Sequence, residues 1–589
     1  MNNVLKYQKT AAEKYMILKA GTFIKRKYSR MYIGVFAAYA FLLLGNYIDS
    51  IIGGRVLGED AVSAISVISP FYSIIVFFSG FFSIGTATVY FQHLGRFEPG
   101  EGSRLLGRCL ILNAGIGALL LIVFGFGGKI FISLFDLSAD IEILANEYFF
   151  FYTFIALVYP LYWMVYTLVQ EDGDALICFI SDLTQIVINI AVSLLTVGPL
   201  GIRGLGLGTF ISVVVSSFVL VIHFFRKTNA IKFSFGKCAR QDISDSVMLG
   251  ASTLLANLFT AIVGIVLNRF IIARIGDEYL AAYSITSFVI GFCTIFSSPV
   301  ESSAGFLSVY YGEHNNDGVR SLSRLSISVA LALGLLFTLA LELFAPIIPH
   351  IYNIETPEIY QAAVTSCRIL GVSMIPAAFV YLGIGYYPII GHNRLSLLLV
   401  TLYMLINSLF LALPFGWIRG INGISIGLAL SPIISIAAAS LIAGIKNGWK
   451  KFPLFLEDTE FETKSFDIIV SSGNTVVLRD KVEEFLSEKG VSPKASIKIC
   501  LLIEELYVKI EDMNPGKKIC SECTVMVNEN KHMINLITRD NGVIFDITDS
   551  DNDVLSLNSF VLASLMEHHD NKNNLTTTSF NRNSFTFEY

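Results

Sequence analysis

The chain has 589 residues, of which 54% are hydrophobic and only 15% are charged. A soluble globular protein is charged at about one residue in four, so this composition argues against a single large soluble enzyme. The formal net charge of -5 is too small for a chain of this length to favour nucleic-acid binding. The eight cysteines are scattered, which is not the pattern of a disulfide framework.

Charge is unevenly distributed, and this divides the chain into a membrane part and a water-exposed tail. Residues 1–30 are basic and lack a signal-peptide pattern, so we expect a cytoplasmic surface helix ahead of the first span. Residues 31–446 form long apolar blocks. A linker is predicted at 447–459 and a cytoplasmic domain at 460–589.

The apolar region contains about twelve blocks of the length that a membrane-spanning helix needs, roughly 20 residues. We predict an N-lobe with spans 1 to 6 at 31–225, a cytoplasmic linker at 226–244 and a C-lobe with spans 7 to 12 at 245–446. The blocks lack the alternation of barrel strands, so the predicted fold is an all-α polytopic membrane protein. Lys and Arg concentrate in the loops on the side of the N-terminus, which predicts that both termini are cytoplasmic.

The two lobes repeat one another at an offset of about 218 residues. The segment 58–67 matches 276–285, and Asn189 falls opposite Asn407. Six predicted spans separate equivalent points, so the two repeats are parallel in the membrane. Parallel repeats are typical of secondary transporters that bind their substrate between the halves.

Several segments resemble the multidrug and toxic compound extrusion (MATE) family. The run 49–58 is similar to its first-to-second-span signature, and 173–174, Asn189 and 310–313 match further motifs. The resemblance covers about residues 30–446. It implies two six-helix lobes with alternating access, and efflux of organic, often cationic and aromatic, compounds against Na⁺ or H⁺.

A charged residue inside a span is costly and is therefore a functional candidate. Asp49 in the first span is the leading candidate for ion or proton coupling, with Asn46 one turn earlier on the same face. The alternative is a carboxylate at a helix end that touches the membrane interface. The equivalent position in the C-lobe lies near Leu267 and Asn268, so we expect the coupling chemistry in the N-lobe.

Asp182, Asn189 and Ser193 share one face of the fifth span. The resemblance implies that Asn189 and Thr209 help to bind the coupling cation, although Ser193 stands where the family has an Asp. Asp182 is a candidate to supply the missing carboxylate. The alternative is that Asp182 lies near the cytoplasmic end of its helix in contact with water.

Two further features of the spans are candidates for the cavity. Glu301 lies between apolar segments of the eighth span, where the family often has Gln, and this predicts a buried carboxyl group facing a cavity in the C-lobe. Aromatic residues crowd the fourth span between 149 and 166. They either bind flat organic cations or face lipid and core.

The tail is predicted to be a small two-layer α/β domain. Its predicted elements are a strand at 466–471, helices at 474–488 and 493–513, strands near 519–528 and 531–538, a helix at 556–567 and strands at 574–580 and 583–588. Cys520 and Cys523 form a lone C-x-x-C pair, whereas a structural zinc ion takes four ligands. We therefore predict no metal site.

The order of these elements resembles the GHKL ATPase fold in its anti-sigma-factor kinase branch. Asp540 and Gly542 lie in a segment similar to the box that reads adenine, and Glu505 lies in a helix similar to the one with the catalytic Glu. The resemblance is incomplete, because Lys509 replaces the metal-binding Asn and 558–562 lack the glycines of the lid. We expect a degenerate, inactive domain that binds a nucleotide or protein partner, or an inert relic.

The leading hypothesis is a secondary active transporter that exports small organic compounds across the cytoplasmic membrane by Na⁺ or H⁺ antiport. The alternatives are a transporter-like receptor that signals through its tail and a flippase of lipid-linked saccharides. The sequence contains no Walker A motif, nucleophile elbow or H-E-x-x-H motif, so we predict no enzyme and no cofactor apart from the coupling ion. Membrane lipid and organic substrates are the expected partners, without nucleic acid.

Overall fold

A computed structural model describes residues 17–18, 22–45, 48–57, 59–96, 98–133, 139–276, 279–351, 357–543, 572–576 and 580–589. The N-terminal half of the membrane part is helical. Its helices are α1 (Thr22–Gly45), α2 (Ile48–Leu57), α3 (Glu59–Gly80), α4 (Ile84–Gly95), α5 (Pro99–Ser133), α6 (Ala139–Glu171), α7 (Ala175–Leu200) and α8 (Ile202–Val221). Helix α7 begins where Asp174 accepts a hydrogen bond from the Ile177 amide and ends at Gly201, whose φ is 57°.

The C-terminal half of the membrane part is also helical. Its helices are α9 (Arg240–Arg274), α10 (Leu280–Phe292), α11 (Ser298–Glu301), α12 (Ala304–Gly312), α13 (Asn316–Phe344), α14 (Ile347–Ile351), α15 (Pro357–Val372), α16 (Met374–Ile389), α17 (Asn393–Val400) and α18 (Asn407–Asn447). Gly420 has a φ of 62° and breaks α18 into two helical stretches. Side-chain capping also sets a boundary here, because Asn315 accepts a hydrogen bond of 2.9 Å from the Gly318 amide at the start of α13.

Within the described ranges, seven helical segments are long and apolar enough to cross a membrane, or up to nine if each of two bent pairs is one span. The continuous segment Asn393–Lys446 counts once among them, although the break at Gly420 lies inside it. The multi-pass helical architecture is therefore confirmed. The count of twelve spans stays a prediction.

The two halves meet closely at one end of the membrane part. A Cβ atom added to Gly305 in α12 would lie 1.9 Å from the carbonyl oxygen of Glu171, and one added to Gly312 would lie 2.5 Å from that of Gln92. Helices α6 and α4 therefore contact α12 backbone to backbone. Only glycine permits two helix backbones to come this close. The contact shows that the two lobes are closed against each other at this end.

In the described residues, five strands of the tail and one N-terminal strand form an antiparallel sheet in the order β1-β2-β3-β4-β6-β5. The strands are β1 (Ile17–Leu18), β2 (Glu462–Ile469), β3 (Cys520–Asn528), β4 (Met533–Asp540), β5 (Lys572–Thr576) and β6 (Asn581–Glu588). Helices α19 (Ser472–Glu488) and α20 (Pro493–Asp512) pack on one face of the sheet. The helix predicted at 556–567 lies outside the described residues.

The N-terminal segment differs from the expected surface helix where it is described. Strand β1 pairs with β2 of the tail, so segments from both ends of the chain share one sheet. Helix α1 begins at Thr22 and continues without a break past residue 31, so Lys25 and Arg30 belong to the first helix of the membrane part. A two-residue strand leaves no recognisable pattern in the sequence, because the strand with which it pairs in the described residues lies in the distant tail.

Candidate functional site

A hydrogen-bonded network surrounds Asp49 in the N-lobe. Thr209 on α8 donates a hydrogen bond of 2.8 Å to Asp49 Oδ2, and Tyr148 on α6 donates one of 2.9 Å to the same oxygen. Tyr148 and Tyr152 are joined by a bond of 3.1 Å between their hydroxyl groups. Both donors to the carboxylate are neutral, and no salt bridge joins Asp49 to a described basic side chain.

The network continues along the predicted face of α7. Asn189 Nδ2 donates to the Thr209 hydroxyl group over 3.1 Å, and Ser193 donates to Asn189 Oδ1 over 3.2 Å. A Cβ atom on Gly208 would lie 2.3 Å from Ser193 Oγ, so this glycine lets α7 and α8 approach. The structure therefore brings together Asp49, Asn189 and Thr209, while Asn46 lies outside the described residues.

Asp182 has a separate environment between α6 and α7. Tyr166 donates a hydrogen bond of 2.8 Å to Asp182 Oδ2, and Tyr162 approaches Oδ1 at 3.5 Å. The ring of Trp163 stacks on that of Tyr166 at 5° and 5.6 Å. The aromatic residues of α6 lie in two different environments. Phe150 is 54% exposed, whereas Tyr162 and Tyr166 are buried beside the Asp182 carboxylate.

Glu301 lies at the contact between the lobes. Tyr39 on α1 donates a hydrogen bond of 2.5 Å to Glu301 Oε1. Glu171, at the end of α6, accepts a hydrogen bond of 3.1 Å from Thr88, and its Oε2 atom is buried without a described hydrogen-bond partner. Sequence reasoning missed Glu171, because an acid at the end of an apolar block resembles an ordinary interface residue.

The Gly173-Asp174 motif lies in a cluster of buried charged and polar side chains. His223 is fully buried, and its ring nitrogens lie 2.8 Å from Asp172 Oδ2 and 2.9 Å from Asp174 Oδ2. Arg226 adds a contact of 2.8 Å to Asp174. This cluster ties the turn before α7 to the end of α8, and sequence reasoning gave it no role.

The tail candidates are acids, of which Asp540 is buried and Glu505 is half-buried. Asp540 Oδ1 accepts hydrogen bonds of 2.8 Å from the Gly542 amide and 3.0 Å from Asn581 Nδ2, while Oδ2 is buried with no partner among the described residues. Burial raises the pKa of Asp540 to about 6. Burial also raises the pKa of Glu505 on α20, with the neighbouring Glu504 adding to the shift.

The described part of the chain contains no group of three or more His, Cys, Asp and Glu side chains that could hold a metal ion. The C-x-x-C pair is divided between the two faces of β3. Cys523 lies in the core beneath α19 and α20, whereas Cys520 accepts a hydrogen bond of 2.7 Å from Arg26 in the membrane part.

Comparison with known proteins places these helices in a family. The MatE family model matches residues 35–195 and 252–418, which together are more than half of the chain. The multidrug export protein MepA of Staphylococcus aureus (strain bovine RF122 / ET3-1) is 20% identical over 401 residues, covering 65% of this chain and 86% of that protein. MepA of Staphylococcus saprophyticus is 23% identical over 260 residues, covering 44% and 56%.

Solved structures share the fold. An outward-facing multidrug resistance MATE family transporter of the MOP superfamily has a TM-score of 0.65 and 19% identity, covering 73% of this chain and 98% of that one. A MATE structure in complex with MaL6 has a TM-score of 0.65 and 20% identity, covering 72% and 96%. The family motifs, the helical membrane part and these matches agree, and the chain belongs to the MatE family of multi-pass membrane transporters.

Proposed function

We propose that this protein is an efflux transporter of the cytoplasmic membrane that exports small organic compounds in exchange for Na⁺ or H⁺, with both termini in the cytoplasm. The observation that carries this proposal is the position of Asp49, a carboxylate inside the N-lobe that receives hydrogen bonds from Thr209 and Tyr148. The curated relatives named MepA are multidrug export proteins, which supports organic compounds as the substrate class.

We propose that ion binding is coupled to substrate transport through the charge of Asp49. Neutral hydroxyl groups orient the Asp49 carboxylate without cancelling its charge. A proton or Na⁺ that binds there changes the net charge of the N-lobe, and it can favour one arrangement of the lobes only by binding that arrangement more tightly. Asn189 supports the site by donating to Thr209, whose own hydroxyl proton is thereby directed to Asp49.

Asp182 and Glu301 are proposed as secondary acids of the same cycle. The carboxylate of Asp182 lies beside stacked aromatic rings, a combination that suits a flat organic cation. Glu301 is bonded to Tyr39 where the lobes meet, so its environment changes when they separate.

The tail is proposed to be an inactive module that binds a nucleotide or protein partner. Asp540 and Glu505 each hold a buried carboxylate oxygen without a described partner, which is the support for a polar ligand. Calorimetric titration of the full-length protein with ATP tests the nucleotide version. Heat of binding that is lost in Asp540→Asn is expected, and no heat in the wild type would contradict it.

The transport proposal is tested in liposomes that contain the purified protein and a fluorescent aromatic organic cation. A Na⁺ gradient and a pH gradient are imposed separately, with protein-free liposomes as the control. We expect one of the two gradients to drive accumulation of the cation. Movement under neither gradient, with binding of the cation intact, would contradict the antiport proposal and favour a receptor.

A further inference from the structure

The sheet of the tail buries charged side chains on the face opposite α19 and α20. Asp467, Glu522, Arg539 and Arg582 have exposures of 1%, 2%, 0% and 1%. Charged residues are almost never buried to this degree unless they are paired. Each of the four has a partner in the membrane part, so this face is a docking surface for it.

The first contact is with the beginning of α1. Asp467 Oδ2 accepts hydrogen bonds from the backbone amides of Thr22, at 2.6 Å, and Phe23, at 3.4 Å. These amides belong to the first turn of the helix, where no intrahelical partner exists and negative charge is favourable. Strand β1 reinforces the contact, because Leu18 pairs with Asp467 in the sheet.

The second contact is with the end of α12. Glu313 directly follows this helix, and its carboxylate is bound by Arg539 and by Arg582, whose Nε lies 2.6 Å from Glu313 Oε1. Arg539 also donates a hydrogen bond of 2.9 Å to Glu522, and its guanidinium lies 4.4 Å from the ring centre of Tyr310. Tyr310 completes the cluster by donating to Glu522 over 2.7 Å.

Helix α1 contacts both lobes, because Tyr28 near its start also donates a hydrogen bond of 3.1 Å to the carbonyl oxygen of Pro299 in α11 of the C-lobe. Helix α1 packs on α7 of the N-lobe, where a Cβ atom on Gly34 would lie 3.0 Å from the Cβ of Ala175. Helix α12 belongs to the C-lobe and contacts α4 through Gly312. The sheet is thus bonded both to α1, which connects to the N-lobe through α7, and to the end of α12 in the C-lobe.

We propose that the C-terminal domain is an intramolecular clamp that binds α1 and α12 together and stabilises the closed contact between the lobes at the tail side. A separation of the lobes that carries α1 away with α7 requires the tail to release Asp467 from α1 or Glu313 from its two arginines. Release of Glu313 leaves buried charges without partners, which makes it the costly step. The clamp therefore slows the opening of this side.

Hydrogen exchange tests the clamp without any transport assay. We would compare full-length wild type with Arg582→Gln, and use Arg479→Gln as the matched control, because Arg479 pairs with Asp480 and Glu504 at the surface of the tail. In Arg582→Gln, amides of 304–312 should exchange about tenfold faster or more, with the control unchanged. Unchanged exchange in 304–312 would overturn the proposal.

A second variant keeps the test decisive if the tail of Arg582→Gln does not fold. Asp467→Ala removes the oxygen that accepts hydrogen bonds from the Thr22 and Phe23 amides, and it should raise exchange at 22–26 while β3 and β4 stay protected. Unchanged exchange at 22–26 in this variant would also overturn the clamp.

The expected effect of the clamp on the transport rate rests on the proposed transport function. If the clamp limits opening, Arg582→Gln should raise the gradient-driven rate about twofold or more. Faster exchange at 304–312 with an unchanged or lower rate would overturn the role of the clamp in the cycle. A wild type that moves no cation under any gradient would contradict the transport proposal alone, because the exchange measurement still decides the clamp.

Discussion

Thr209 donates a hydrogen bond of 2.8 Å to Asp49, and this bond joins α8 to α2 inside the N-lobe. The two residues lie 160 positions apart in the sequence. Tyr148 donates to the same carboxylate oxygen from α6, so three helices meet at one negative charge. A proton or cation that binds Asp49 therefore acts on the packing of all three helices.

Tyr148→Phe should weaken coupling while leaving the fold intact. A hydrogen bond to a charged group contributes roughly 1.5–3 kcal/mol, so its loss should reduce the gradient-driven rate about tenfold or more. Tyr152→Phe is the matched control, because Tyr152 bonds to Tyr148 while Tyr148 keeps its own bond to Asp49. The initial rate of cation uptake in liposomes measures both. A larger loss in Tyr152→Phe than in Tyr148→Phe would argue against the assigned role.

Gly305→Ala should prevent the lobes from closing. The added Cβ atom would lie 1.9 Å from the carbonyl oxygen of Glu171, a backbone atom that has no rotamer with which to move away. We expect transport to fall to about a tenth or less, with a lower thermal unfolding midpoint, because overpacking typically costs about 1–3 kcal/mol. Gly115→Ala is the control, since nothing lies within 4 Å of its added Cβ. Normal transport by Gly305→Ala would show that this closed contact is not part of the cycle.

Asp540→Asn should change how the stability of the tail depends on pH. Burial raises the folded-state pKa of Asp540 from 3.8 to about 6, so the folded tail holds this proton more tightly than the unfolded chain does. The stabilisation from protonation is fully present below the unfolded pKa and is lost as pH rises through about 6. Each pKa unit corresponds to about 1.4 kcal/mol, so the full shift is worth on the order of 3 kcal/mol.

Thermal unfolding at pH 5 and pH 7 measures this difference. Wild type should gain more stability than Asp540→Asn on going from pH 7 to pH 5. Asp480→Asn, which removes an exposed carboxylate from the same domain, should respond as the wild type does. Equal responses of wild type and Asp540→Asn would contradict the role of this buried acid.

Local patterns predicted much of the fold. The family motifs and the spacing of polar residues on one helix face indicated Asp49, Asn189 and Thr209, and the structure joins all three in one network. The predicted tail helices at 474–488 and 493–513 match Ser472–Glu488 and Pro493–Asp512 closely, because their apolar residues recur at helical spacing.

Contacts between distant segments could not be predicted in this way. The pairing of β1 with β2 and the binding of Glu313 by Arg539 join positions separated by hundreds of residues, and neither leaves a periodic signal. Arg539 and Glu522 lie in polar stretches of their strands, between Thr538 and Asp540 and between Ser521 and Cys523, which is what a solvent-exposed sheet face would also show. Only the docked membrane part shows that this face is buried.

The central claim is that Asp49 couples ion binding to substrate transport. The most direct measurement compares accumulation of a substrate driven by an ion gradient with exchange of the same substrate without a gradient. Purified wild type, Asp49→Asn and Asp458→Asn are compared in liposomes, since the Asp458 side chain is 92% exposed and is a matched control. One assay follows gradient-driven accumulation of an aromatic organic cation, and the other follows its exchange at equal concentrations without a gradient. We predict that Asp49→Asn loses accumulation but retains exchange, whereas Asp458→Asn retains both. Accumulation by Asp49→Asn at the wild-type rate would contradict the account.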